Sequence, residues 1–283
     1  MPRWRRATRR RARGGIASSA TGFRKDGRHR DRLALDDVIQ GMSGLAALNA
    51  MRDGGEPRYV PSALADKLFG HVLASAVAMA LYRRKRTGRG QEVHVPMLET
   101  MISFNLAEHL WGGVLDDPSL GLGYGRMLTP YRRPFPTSDG HLCLMANSDD
   151  QWQRLLAALG RSDLAEDPRF AHLAQRAANI GALYAIVEDV MRTRSTAEWQ
   201  ARLDAADVPN GPVRSRRPAG GRLPRRDRLF FRRVEHPSEG RMMVTAVPMD
   251  FSESPGAVRL LPPRLSEHTE EVLHEAGLSE AEI

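Results

Sequence analysis

The fold turns on Ala63–Met97, "ALADKLFGHVLASAVAMALYRRKRTGRGQEVHVPM". A single carboxylate, Asp66, opens an apolar stretch that runs into a knot of Arg and Lys, then a glycine turn, then alternation from Gln91. This order reads as a helix over about 67–85, a tight reversal and a strand. Leu68, Val72, Ser75, Val77 and Met79 leave the helix without a strongly polar face before Tyr82, which predicts burial on most sides. Asp at a helix start is a preferred N-cap. The same place lies in the positive field of the helix dipole, which favours a carboxylate anion and suits it to nucleophilic attack. From pattern alone both roles stand open for Asp66.

Upstream, "LALDDVIQGMSGLAALNAMRDGG" predicts one helix over 37–51, ended by Gly54 and Gly55. Downstream, "LETMISFNLAEHLWGGVL" reads as a further helix, with Trp111 among its core residues. The Gly- and Pro-rich run that contains "GLGYG" (121–125) reads as a linker and hinge, since no strand leads into it as a phosphate loop requires. The block that follows is self-contained. It holds a strand "HLCLMA", a helix "DDQWQRLLAALG", a helix "ALYAIVEDVMRTR", and a helix "TAEWQARLDAA" capped by Thr196. Two strands around "PSEG" and a last helix from about residue 267 to Gly277 complete the chain.

Charge is segregated. The 283 residues carry a net +8, yet residues 1–30 hold +10 and residues 214–233 hold +8, so the remainder is acidic. The first segment lacks a hydrophobic period and is expected to be disordered. Neither patch interleaves aromatics or forms a reading helix, which ranks nucleic acid last among partners. The longest apolar run, 72–82, falls short of the roughly 20 residues of a membrane span. A lone cysteine, Cys143, and no apolar stretch behind the N-terminal charges point to the cytoplasm. The histidine spacing offers no metal site: His268 and His274 cannot share a helix face as ligands.

Four stretches together resemble the family III CoA-transferases, the CaiB/BaiF group that includes formyl-CoA transferase. They are "LDDVIQGMSG", the Asp66 helix with "KRTGRGQEVHVPMLE", "DPRF" with the later Arg, Asn and "EWQARLDAADVPNGPV", and "PPRLSEHTEEVLHEAGLSEAEI". "TGRGQ" behind a long helix begun by Asp is the most specific. The resemblance covers about residues 20–213 and 229–283 and implies an α/β fold: an incomplete Rossmann-like large domain and a small α+β domain. The implied organisation is a basic segment 1–30, a partial large domain 31–127, a small domain 128–213, a basic linker 214–228 and a return to the large domain over 229–283, with the family's N-terminal half-domain lacking.

The resemblance further implies an acyl-CoA:carboxylate CoA-transferase, active as a homodimer, with Asp66 as nucleophile and the coenzyme A thioester as substrate rather than a resident cofactor. It gives Met97 and Asp36 as coenzyme-binding residues, Met97 lying against the coenzyme and Asp36 at the acidic position that follows the family's aromatic or histidine. Leu35 stands where the related 2-methylacyl-CoA racemases have histidine, which argues against racemisation. An inactive truncated family member, a racemase-like enzyme and, last, a basic nucleic-acid binder are the alternatives.

Overall fold

A computed structural model describes residues 15–115, 117–213 and 230–283. The chain divides into two compact units, residues 1–213 and 214–283.

The first unit is built on a parallel pair, β1 (Ile16–Thr21) and β2 (Gln91–Pro96), in register from Ile16 beside Gln91 to Thr21 beside Pro96. Residues 16–21, expected within a disordered basic segment, are therefore a strand. The small residues of "IASSAT" are short enough to lie close to a neighbouring strand, and the charge that suggested disorder lies on either side of them.

Four helices flank this pair: α1 (Asp36–Met42), α2 (Leu45–Asp53), α3 (Leu64–Thr87) and α4 (Met97–His109). Helix α3 packs on both strands and on α1 and α4. Phe23, Ile39, Ala65, Leu98 and Met101 form the buried cluster between them. The single helix expected over 37–51 is broken at Ser43–Gly44. Gly44 adopts φ 86°, which a side chain disfavours, and the buried Asn105 amide donates to Ser43 O and Oγ at 3.2 Å each. The break is thus where α4 docks.

Helix α3 is not buried on most sides. Only Ala65 and Ala80 are fully buried, while Val72, Met79, Leu81 and Tyr82 are exposed. At 24 residues it is also longer than its apolar run suggested, and by length and composition alone it could cross a bilayer. Asp66 and Lys67 in its first turn and its packing on β1, β2, α1 and α4 instead make it a helix of this unit.

The turn after α3 explains the "TGRGQ" signature physically. Gly88 closes the helix at φ 67°, its N–H donating to Arg84 O at 2.8 Å. A Cβ on Gly90 would lie 1.8 Å from Gly15 O, so only glycine lets the two segments meet where β1 and β2 begin to pair. Arg83 donates to Arg89 O at 3.0 Å and to Gly90 O at 3.5 Å, fastening the reversal to the helix.

Helix α4 ends at His109 rather than continuing through the tryptophan. Trp111 has φ 42°, is 56% exposed and stacks on Tyr124 with ring centroids 4.9 Å apart. The core role expected for it is not observed. The "GLGYG" run folds back on the helix end instead: His109 accepts from Gly123 N–H through its carbonyl (2.8 Å) and from Tyr124 N–H through Nδ1 (3.2 Å).

A second core within the unit gathers Phe135, Leu142, Trp152, Leu183, Met191 and Trp199, among others, beside an antiparallel sheet of β3 (Phe135–Pro136), β4 (His141–Leu144) and β5 (Asn210–Pro212). Helices α5 (Asp149–Ala158), α6 (Leu173–Ala178), α7 (Ile180–Met191) and α8 (Thr196–Ala205) accompany this sheet. Ser195, not Thr196, caps α8, in a reciprocal capping box with Glu198. The Thr196 hydroxyl is directed to Asp139 Oδ1 at 2.8 Å and Thr137 Oγ1 at 2.7 Å.

The second unit holds the hairpin β6 (Phe231–His236) and β7 (Gly240–Thr245), joined at "PSEG" as expected, and α9 (Thr269–Glu275). His236 pins this hairpin to the later chain, its Nε2 lying 2.8 Å from Pro262 O and its Nδ1 accepting from Ser238 N–H at 3.1 Å. The basic run 214–228 lies outside the described residues.

Candidate active site

Asp66 is the third residue of α3, inside its first turn, and Ala63 holds the cap position without a side-chain hydrogen bond. The N-cap expected of Asp66 is therefore not observed. Capping is done from elsewhere: Asp36 Oδ2 accepts the Asp66 N–H at 3.0 Å across thirty residues of sequence. The carboxylate of Asp66 is exposed and makes no hydrogen bond or ion pair among the described residues. An anion so placed keeps its lone pairs for an incoming electrophile and sits at the positive end of a 24-residue helix.

Asp36 is the first residue of α1. Its Oδ1 accepts from Gln40 Nε2 at 2.5 Å, so both carboxylate oxygens are used inside the chain. Gln40 is fully buried. It also joins the loop ahead of α3, accepting from Val60 N–H at 2.9 Å and donating to Ser62 O at 3.2 Å. Sequence reasoning passed over Gln40. A buried amide four residues after an acidic residue was its only signal, and that signal needs the tertiary fold to be read.

Met97 opens α4 directly after β2, half-buried against the cluster of Phe23, Ile39, Ala65, Leu98 and Met101. Ile39 lies between Asp36 and Gln40, Ala65 precedes Asp66, and Leu98 follows Met97. One buried cluster thus sets the backbone beside all three predicted site residues. Gly22, at the strand end next to them, accepts the Leu98 N–H at 3.0 Å. A Cβ there would fall 2.3 Å from Ala34 Cβ, so the path of the chain into α1 requires glycine. Leu35, at the racemase histidine position, is exposed and offers no proton-transfer group.

Around the second core an open niche is lined by Arg132, Arg133, Phe135, Cys143, Met145 and Tyr184. The Tyr184 hydroxyl is buried without a partner among the described residues. Arg133 is drawn aside to Glu188, at 3.1 Å. The "DPRF" signature with its later Arg and Asn is structural. Phe170 is buried, Arg176 is 4% exposed and donates to Phe170 O at 2.9 Å and to Asp149, and Asn179 donates to Gln175 O at 2.9 Å.

Among curated proteins the chain is 30% identical over 203 residues to the acetyl-CoA:oxalate CoA-transferase of Acetobacter aceti, a match covering 70% of this chain and 51% of that protein. It is 29% identical over 268 residues to the succinate–glutarate CoA-transferase of Agrobacterium fabrum, covering 92% and 65%. The chain spans about half the length of several such relatives. Among solved structures it matches Rv3272 from Mycobacterium tuberculosis with TM-score 0.73 and 26% identity, over 89% of this chain and 67% of that one. A CaiB/BaiF family protein from Brucella suis matches with TM-score 0.68 and 27% identity, over 93% and 68%. The family model described as CoA-transferase family III matches residues 6–269, through the glycine turn, both cores and the second basic stretch, and the chain belongs to that family.

Proposed function

We propose that the chain is an acyl-CoA:carboxylate CoA-transferase with Asp66 as its nucleophile. The observation that carries this reading is the exposed, unpaired Asp66 carboxylate in the first turn of α3, in a chain of this family. In the proposed reaction Asp66 attacks the thioester carbonyl of the donor, forming a mixed anhydride and releasing coenzyme A thiolate. The thiolate attacks the aspartyl carbonyl, giving an aspartyl-CoA thioester and the free donor acid. The acceptor carboxylate attacks that thioester, giving a second anhydride and thiolate. Attack of the thiolate on the acceptor's acyl carbon yields the new acyl-CoA and restores Asp66. The sequence is isoenergetic in kind, thioester for thioester, and demands that water be kept from the anhydrides.

Coenzyme A enters as substrate, no permanently bound cofactor is required, and Met97 at the head of α4 lies against it. The relatives' names indicate small dicarboxylates as the acids to try first. The protein works as a homodimer in the cytoplasm, a setting in keeping with its single cysteine.

Intact-protein mass spectrometry tests this reading. After incubation with succinyl-CoA and trapping with hydroxylamine, the wild type should carry a modification mapped to Asp66, and Asp66→Ala none. A folded wild type that acquires no adduct from any acyl-CoA donor would overturn it.

A further inference from the structure

Asp36 and Gln40 stand one helical turn apart on α1, bonded to each other, and their other side-chain hydrogen bonds lead to the loop before α3 and to its first turn. Gln40 ties α1 to residues 60 and 62, and Asp36 ties it to the Asp66 N–H. Ala63 brings no side-chain acceptor to the cap position, so without Asp36 that donor would lack a protein partner. We propose that Asp36, buttressed by Gln40, is the positioning residue for Asp66: it fixes the backbone from which the nucleophile projects and makes no contact with the coenzyme. This rests on the transferase reading above.

The chemistry of the pair argues for the role. Two donors, an amide side chain and a backbone N–H, converge on one carboxylate from different sides, each on its own oxygen. Asparagine, of the same size, offers one. A loosened first turn would swing the Asp66 carboxylate off its line of attack, and misplacement by about 1 Å can cost about a hundredfold in rate.

The test compares wild type, Asp36→Asn, Asp36→Ala, Asp36→Glu and, as a control, Asp37→Asn, an exposed neighbour on the same helix. Amide hydrogen exchange at Asp66 and steady-state transfer from succinyl-CoA to glutarate are both measured. In Asp36→Asn and Asp36→Ala the Asp66 amide should exchange about tenfold faster. Their kcat should fall about ten- to a hundredfold, with KM for succinyl-CoA within about threefold of wild type. Asp36→Glu, which keeps both oxygens, should recover part of kcat, and Asp37→Asn should match wild type.

Unchanged exchange would overturn the proposal, and so would faster exchange with unchanged kcat, which makes Asp36 a purely structural cap. A raised KM at unchanged kcat would put Asp36 on the coenzyme and overturn it as well. Failure of the underlying reading looks different: wild type and Asp66→Ala would both lack an adduct, whatever the exchange rates show.

Discussion

Glu188 lies on α7 with its side chain 8% exposed, between the guanidinium groups of Arg192 at 2.7 Å and Arg133 at 3.1 Å. Burial pushes its carboxyl up, but the hydrogen bonds and charge of the two arginines outweigh burial and hold it below the ordinary glutamate value. A depressed folded value means that the unfolded chain binds more protons between the two values. The stabilisation is therefore present above the ordinary glutamate range and is lost as pH falls through the folded value. At pH 7, Glu188→Gln should cost about 1–2 kcal/mol, the low end for a charged hydrogen bond because both arginines are half exposed. Urea titrations should show that gap narrowing as pH falls below the ordinary glutamate range, whereas a gap that does not change with pH would mean that the pair contributes no charge-dependent stability. Side chains on one element were legible in this way, as Trp152 and Trp199 were as core. The cap on Asp66 was not, because its acceptor sits thirty residues away and only the packing of α1 on α3 brings it there.

At the scale of elements, periodicity found the strand at Gln91, the helix at Asp149 and the hairpin around "PSEG", and missed what depends on neighbours. The helix break at Gly44 answers to Asn105 from α4, and β1 is a strand because β2 lies alongside it. The glycine turn between α3 and β2 offers a direct comparison. Gly88→Ala places a side chain at φ 67° with open space around it, a conformational cost of about 1 kcal/mol. Gly90→Ala instead drives a methyl into the Gly15 carbonyl, which the strands relieve only by moving apart, at about 2–3 kcal/mol or more. Chemical denaturation should rank Gly90→Ala as the more damaging. The reverse order would mean that the close approach of residues 15 and 90 is not kept in solution.

The scale of the whole molecule is where the pattern of α3 misled most. An apolar helix reads as buried, and the sequence contains no sign of what covers it. Val72, Met79 and Tyr82 fall on one side of α3 at helical spacing and are 37%, 71% and 64% exposed. In the proposed homodimer a second copy would cover this stripe. Light scattering on the eluting protein should accordingly give about twice the 31.5 kDa chain mass. Paired Met79→Glu and Tyr82→Glu substitutions should shift it to the monomer with little change in melting temperature, because neither side chain is in a core. A wild type that is monomeric at micromolar concentration would remove the homodimer reading. A doubly substituted protein that stays dimeric would move the interface off α3, leaving the stripe as surface that this chain simply tolerates.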